Sequence, residues 1–290
     1  MRVILSSNPY RDKGLKAAQE AQRILERAGV KTVICLPFVP KKGERVDVPR
    51  HIVLSSLEKE LPNADMLVCF GGDGTILHAA RDATLHGVPI LGVNMGSVGF
   101  MAELERGELS LLTTVAQGRY TIEKRMMLDI RVYHGDKLIC EDLALNDAVI
   151  SKGSVARVAE VEVLADDVQV TALSGDGVIV STPTGSTAYS MSAGGPIVEP
   201  ASQAIIVTPV CAHRLAVRPM VLSPERVITV RLPRGNRKYL YLSVDGGKAL
   251  RLSGGDRVEV RRSDRSTKLV SLGNRSFYQV INQKLGGFVP

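Results

Sequence analysis

Apolar positions in the first third of the chain switch between two periods. Val3–Ser6 is a short β-rich run. From Gly14 to Ala28 the residues Leu15, Ala18, Ala21, Leu25 and Ala28 recur at helical spacing, and Gly29 supplies a stop. Lys31–Leu36 reads as a second strand, and Ile52–Leu61 as a short helix ended by Pro62. Asp65–Phe70 is an unbroken apolar run, as a strand buried on both faces requires. Gly71–Gly74 interrupts it, Thr75–His86 reads as a helix, and Pro89–Asn94 is another buried strand. This alternation predicts an α/β N-terminal domain over residues 1–120, with an open, mostly parallel sheet.

Past residue 120 helical periods become rare. Short β-type runs recur at Met127–Tyr133, Ala144–Ser151, Val158–Leu164, Val168–Leu173, Val178–Ser181, Ile205–Pro209, Val227–Leu232, Tyr239–Val244, Val258–Arg262 and Lys268–Leu272. Turn signals such as HGDK, SGDG, PRGN and VDGG separate them. A β-rich C-terminal domain over 121–275 is expected, a sandwich or layered sheet. Phe277–Leu285 turns helical again, with Phe277, Val280, Ile281 and Lys284 on one face, and residues 276–290 are expected to pack back on the first domain.

A chain of 290 residues with 44% hydrophobic and 23% charged residues excludes disorder and collagen-like repeats, and its length fits two domains. Aromatics are 4% with no Trp, which argues against a surface of stacked rings. The net charge of +7 suits small anions such as nucleotides and phosphates. Basic residues are densest in Arg231–Lys238 and Arg257–Lys268, read first as strand faces and hairpin turns and second as a patch for a polyanion. Cys35, Cys69, Cys140 and Cys211 have no CxxC spacing and stand in apolar contexts, so buried free thiols are expected. The apolar start is too short for a signal segment, and the uncharged stretch Gly177–Val198 is broken by Pro183 and Pro196. A cytoplasmic protein without membrane or nucleic-acid partners is expected.

The sharpest local feature is Gly71-Gly72-Asp73-Gly74-Thr75, after a buried strand and at the opening of a helix. Glycines let a ligand approach the backbone, and N–H groups at a helix start favour an anion such as phosphate. Asp73 in that setting needs a task, such as accepting a hydroxyl proton or holding Mg²⁺, or else it caps the helix. No P-loop, HExxH or GxSxG is present, and Leu77 stands where a dinucleotide fingerprint needs its third glycine. A second feature is the stretch Asp176–Ser190, with five Ser or Thr hydroxyls between Ser181 and Thr187. It suits the polar edges of a nucleotide, or else an ordinary turn with Thr184 or Ser186 as helix cap. Third, Asn146-Asp147 interrupts an apolar run, where an unpaired polar group costs about 1–3 kcal/mol. Either a ligand or a strand-end turn explains the pair. Fourth, Gly92–Phe100 follows a buried strand, at the edge where open α/β sheets bind ligands, and Phe100 is a pocket wall or a core residue. His78, His213 with Arg214, and Asp245-Gly246-Gly247 are weaker candidates, the last being first a hairpin turn.

In this order and spacing the motifs resemble the NAD kinase family, of bacterial type. The matching pieces are GGDGT at 71–75, GVNMGSVGF at 92–100, ND at 146–147, DGVIVSTPTGSTAYSMSAGGP at 176–196, TPVCAHRLAVRP at 208–219, VDGG at 244–247 and FYQVINQKL at 277–285. GGDGT alone is shared with diacylglycerol-type lipid kinases and is similar to the GGDGS of phosphofructokinases, whereas the TPTGSTAYS block is specific. The resemblance implies a NAD kinase/diacylglycerol kinase-like fold with the active site between its domains. It implies phosphorylation of the adenosine-ribose 2′-hydroxyl of NAD by ATP, or another nucleotide or polyphosphate. It also implies a divalent cation, Mg²⁺ by preference, and a homodimer or homotetramer. It makes Asp73 the base, with Gly71, Gly72, Gly74 and Thr75 as the phosphate loop. Gly74, His78, Phe100, Asn146, Asp147, Asp176, Thr187, Ala188, Tyr189, Ser190, Met191, Ser192 and Asp245 become substrate contacts. Arg157 and Gly247 fall near family contact positions in variable surroundings. Asp147 replaces the usual Glu, Val98 the usual Leu, and Ala212 a frequent Pro. No arginine finger is identifiable. A lipid kinase and a non-catalytic NAD(P) sensor are the competing readings.

Overall fold

The computed structural model describes the chain except residues 41–45, 97–98, 154–157, 214–215, 234–238, 274 and 287–290. The chain divides into two compact units, Met1–Lys124 with Thr267–Pro290, and Arg125–Ser266. In the first unit β1 (Arg2–Ser7) leads to α1 (Lys16–Arg27) and β2 (Lys31–Cys35). After β3 (Leu54–Ser55) and α2 (Leu57–Glu60) come β4 (Met66–Gly71), α3 (Asp73–Leu85) and β5 (Ile90–Asn94). The short β6 (Leu104–Glu105) and α4 (Leu112–Ala116) follow, in a region where the sequence pattern predicts nothing.

The strands β3, β2, β1, β4 and β5 lie side by side in that order, every pair parallel. Val3, Ile4, Leu5, Leu67, Val68 and Phe70 are fully buried, which explains why these strands read as continuous apolar runs. The chain moves outward from β1 to β2 on one side and from β4 to β5 on the other. Loops leaving the carboxyl ends of β1 and β4 therefore diverge and leave a crevice, the usual ligand position of an open α/β sheet.

Two predicted helices change shape. The helix expected from Gly14 begins at Lys16, because Gly14 and Leu15 both take positive φ in a separate turn. The fully buried Asp12 holds that turn, accepting the Ser7 hydroxyl and the Ala17 and Ala18 N–H groups at 2.8, 2.9 and 3.0 Å. The helix expected over Ile52–Leu61 splits into β3, α2 and a 3₁₀ turn at Leu61–Asn63, since Ser56 is extended and caps α2 by accepting the Lys59 N–H.

The second unit is β-rich, and its strand series starts with β7 (Thr121–His134), β8 (Lys137–Ala144) and β9 (Asp147–Lys152). Then come β10 (Ala159–Ala165), β11 (Val168–Gly175), β12 (Gly177–Ser181) and the four-residue helix α5 (Tyr189–Ser192). β13 (Ile205–Val210), β14 (Met220–Leu222), β15 (Ile228–Arg231), β16 (Leu240–Val244) and β17 (Leu250–Leu252) complete the series before β18 (Asp256–Ser271). One antiparallel sheet runs β14-β13-β12-β9-β16-β17. A second places β10 between β11 and β15, with β18 beyond β15. Leu128, Ile130, Val163, Val178, Ile205 and Val230 belong to one core that both sheets share. β8, β14 and β17 are strands that the hydropathy pattern misses, each being short or facing solvent along much of its length.

The runs Val258–Arg262 and Lys268–Leu272 are one strand, β18, which stays extended through the polar Ser263–Ser266 segment. The chain leaves the second unit inside β18, and from Thr267 it adds to the first sheet, where Leu269 pairs in parallel with Ile90. α6 (Phe277–Leu285) follows with Ser276 as its cap and Val280 buried. Among the described late basic residues Arg231 pairs with Asp167 at 3.2 Å, Arg257 with Glu259 at 3.0 Å and Arg262 with Glu225 at 3.5 Å, while Arg234, Arg237 and Lys238 lie outside the described residues. All four cysteines are free. Cys35 and Cys69 are buried, and burial pushes both thiols up to about 12. Cys140 is half-buried and Cys211 exposed, against the expectation of four buried thiols, since Cys211 sits in the bend just past β13. No helix among the described residues is long and apolar enough to cross a membrane.

Phe70 fills the core beneath the glycine loop and is fully buried. Phe70→Ala is expected to cost about 3–5 kcal/mol, read from urea unfolding of the two proteins side by side.

Candidate functional site

In the first unit β4 runs straight into the glycine motif, and α3 starts at Asp73. Gly71 is glycine for packing: a Cβ there would lie 2.1 Å from Thr75 Oγ1. Gly72 and Gly74 have no such reason. A Cβ on either would meet nothing within 4 Å, and neither has a positive φ. The space that they leave opens on a cleft of about 340 Å³, whose walls include Asn8, Arg11, Phe38, Gly72, Gly74 and His78. Thr75 N–H is used internally, on Gly72 O at 2.9 Å. The preceding N–H groups of the helix start bear the positive end of the α3 dipole.

Asp73 does not cap α3, which has no side-chain cap. Its carboxylate instead accepts the Phe100 N–H at 2.8 Å and the Met101 N–H at 3.0 Å. A Cβ on Gly99 would lie 2.3 Å from Asp73 Oδ1, so the glycine allows this approach. The loop after β5 thus orients the acid and leaves it acceptor capacity for a further proton donor. Phe100 contributes its backbone N–H to this arrangement, and its ring lies 4.3 Å from the Lys284 ammonium of α6. His78 is exposed and lines the cleft. Ser97 and Val98 lie outside the described residues.

Four wall residues escaped the sequence reading: Asn8 and Arg11 after β1, and Pro37 and Phe38 after β2. The available signal was their position directly past the ends of two parallel strands. Asn8 N–H bonds Phe70 O at 3.0 Å, which ties this loop to the end of β4. Tyr10 stacks on Phe38 with ring centroids 5.7 Å apart.

In the second unit three distant motifs meet around Asn146 and Asp147. Asp245 stands in the turn after β16 at φ +50°. Its carboxylate accepts the N–H groups of Leu145, Asn146 and Asp147 at 2.7, 2.8 and 3.0 Å. The hairpin expected at Asp245–Gly247 is present, closed by Gly247 N–H on Val244 O at 2.8 Å. From the other side Thr182 donates its N–H to Asn146 O and its hydroxyl to Leu145 O. A Cβ on Gly185 would lie 2.1 Å from Asn146 O, so the TPTGS segment rests on that backbone. Asn146 Oδ1 and Thr184 Oγ1 are buried without a partner among the described residues, an arrangement that a ligand's donors would relieve. Burial first, and then the nearby Asp245 charge, push the Asp147 carboxyl up to about 7. Burial also raises Asp245, against the lowering effect of its three N–H bonds.

The hydroxyls after β12 divide. Ser186 bonds Pro183 O and Val198, and Ser190 bonds the Thr208 hydroxyl at 2.7 Å. Both are fully buried, so these two side chains hold the segment together rather than face solvent. No helix cap forms at Thr184 or Ser186. Tyr189 and Ser192 are exposed, and Thr187, Ala188 and Met191 are half-exposed. Asp176 is ion-paired with Lys152 at 2.6 Å. Gly247 and His213 are exposed, and the His213 backbone N–H bonds Ser174 O at 2.8 Å. Arg157 and Arg214 lie outside the described residues. Among the described residues no group of three His, Cys, Asp or Glu gathers to hold a metal ion.

Comparison with known proteins gives the same pattern in both halves. The ATP-NAD kinase N-terminal domain matches residues 3–120, and the ATP-NAD kinase C-terminal domain matches residues 145–272. The NAD kinase of Ruminiclostridium cellulolyticum is 38% identical over 285 residues, 98% of this chain and 97% of its own. The NAD kinase of Acidobacterium capsulatum is 40% identical and covers 98% of both chains. A yeast NADH kinase in complex with NADH superposes with a TM-score of 0.81 at 25% identity, covering all of this chain and 89% of its own. An Archaeoglobus fulgidus NAD kinase in complex with ATP has a TM-score of 0.72 at 25% identity, with 98% of both chains covered. With both domain types matched in order, and relatives this similar along nearly its whole length, the chain belongs to the ATP-NAD kinase family.

Proposed function

We propose that this chain transfers the terminal phosphoryl group of ATP to the 2′-hydroxyl of the adenosine ribose of NAD, giving NADP and ADP. The observation that carries this reading is Asp73, held by two backbone N–H groups at the first turn of α3 and next to two glycines that no internal packing requires. A ribose hydroxyl is a weak nucleophile at neutral pH. As its oxygen bonds to the γ-phosphorus, the bond from that phosphorus to the β–γ bridging oxygen breaks. The electron pair leaves with ADP, and the hydroxyl proton passes to the Asp73 carboxylate. Catalysis then rests on alignment and on donors aimed at the developing charge.

In this reading the open N–H groups at Gly72–Gly74 meet phosphate, and Gly74 approaches the dinucleotide. Asn146 and Asp147 take sugar hydroxyls or base edges, and Asn146 Oδ1 gains a donor where it has none among the described residues. Thr187, Ala188, Tyr189 and Ser192 line the adenosine and nicotinamide ends. Asp176 reads an adenine amino group, with a homodimer or homotetramer as the assembly. A divalent cation, Mg²⁺ by preference, would supply charge neutralisation on the donor phosphates. That role needs few protein ligands and no built cage. A cytoplasmic setting, where free thiols stay reduced, belongs to the same proposal.

Asp73→Asn is expected to keep NAD binding and to lower kcat roughly 10²–10⁴-fold. The measurement is NADP formation from NAD, ATP and Mg²⁺, coupled to an NADP-specific dehydrogenase, with near-normal turnover arguing against the base. Asp147 gives a pH prediction. Its folded-state value of about 7 lies above the ordinary 3.8, so the native state holds a proton that the unfolded chain has released. Its contribution to stability is present below pH 4 and is lost as pH rises toward 7. Asp147→Asn is expected to gain stability relative to the parent between pH 5 and pH 8, by melting temperature at each pH. An unchanged difference would contradict the raised acid.

A further inference from the structure

The proposed reaction gathers negative charge on the β- and γ-phosphate oxygens of the donor, and the glycine loop supplies only backbone dipoles against it. The cleft beside that loop supplies a full charge. Arg11 lines it together with Asn8, Gly72, Gly74 and His78, and no described wall residue is a carboxylate. Arg11 is exposed, and no described residue is ion-paired with it. This contrasts with Arg131, Arg226, Arg257 and Arg275, which all pair with Asp or Glu. Its guanidinium crosses toward the loop after β5, where a Cβ on Gly96 would lie 3.6 Å from Arg11 Nη1.

The backbone beneath Arg11 is fixed. Its N–H and that of Asp12 both bond Asn8 O, at 3.0 and 2.8 Å. The Asn8 side chain accepts the Tyr10 N–H at 3.0 Å. Asp12 is fully buried with both carboxylate oxygens engaged. A guanidinium with no ion-pair partner among the described residues, on a fixed loop and in a cleft with no carboxylate among its described walls, suits an oxyanion, and its planar fork matches phosphate geometry.

We infer that Arg11 is a catalytic residue that binds the terminal phosphate oxygens of the phosphoryl donor in the cleft under the glycine loop. The inference rests on the NAD phosphorylation proposed above and adds to it the chain's own cation on the transferred group.

The test compares the full-length protein with Arg11→Ala and Arg11→Lys, each checked for fold by circular dichroism. With NAD saturating, Arg11→Ala is expected to lower kcat/KM for ATP about 10²-fold. KM for NAD stays within about twofold, because the lost contact is on the donor. Arg11→Lys keeps the charge but loses the fork, and falls between the two. Calorimetry with ATP and with inorganic tripolyphosphate, both with Mg²⁺, is expected to show both affinities falling by a similar factor in Arg11→Ala. That places the contact on phosphate rather than on the base. A kcat/KM for ATP within about threefold of the parent overturns the inference, as does a loss confined to NAD. Should the parent protein form no NADP at all, the reading of the reaction fails. The tripolyphosphate titration then decides Arg11 alone: weakened binding in Arg11→Ala supports it, and unchanged binding overturns it.

Discussion

The parallel pairing of β1 with β4 is the constraint on which the first unit depends. It sets Ser7 beside Phe70 and so brings the ends of the two strands level. Because the chain winds outward in opposite directions from this pair, the two following loops part and leave room for a ligand. One loop carries Asn8 and Arg11, the other the glycine motif with Asp73. The apolar strands beneath are fully buried, so the floor of the cleft is rigid and the loops above it need few contacts of their own. The N–H of Asn8 on Phe70 O, and the carboxylate of Asp12 on the first turn of α1, complete that anchoring.

The second unit solves a different problem. An amide and a carboxylate at the start of β9 are costly to bury, and the fold offsets the cost through the backbone rather than the side chains. Asp245, in a left-handed turn, accepts three successive N–H groups, and Thr182 takes up Leu145 O and Asn146 O. Asn146 Oδ1 is left without a partner among the described residues, and the Asp147 carboxyl is pushed up to about 7. Such an arrangement costs stability in the chain as it stands.

Much of this was legible in the residues. Buried parallel strands announce themselves as unbroken apolar runs, and β1, β4 and β5 were readable for that reason. GGDGT, the Asn-Asp pair and the TPTGSTAYS block named the chemistry, because glycines and polar groups in apolar runs need a local reason. The turn at Gly14-Leu15 was not legible, since a leucine in left-handed backbone carries no sequence signal and is held by the distant carboxylate of Asp12. β18 was read as two strands because its polar middle breaks the apolar pattern, although the backbone stays extended through it.

The sequence by itself determined the alternation of elements and the family to which the motifs belong, because each rests on residue type and spacing within a short window. Only the tertiary structure decided what those residues touch. It turned Asp73 from a helix cap into a group held by Phe100 and Met101, and it buried Ser186 and Ser190. It made Asp245 a backbone clamp, and it put Arg11 in the cleft. The physical reason is common to all four: a hydrogen-bond partner or an open wall is set by chain segments tens of residues away, and side-chain type does not encode which segment will arrive.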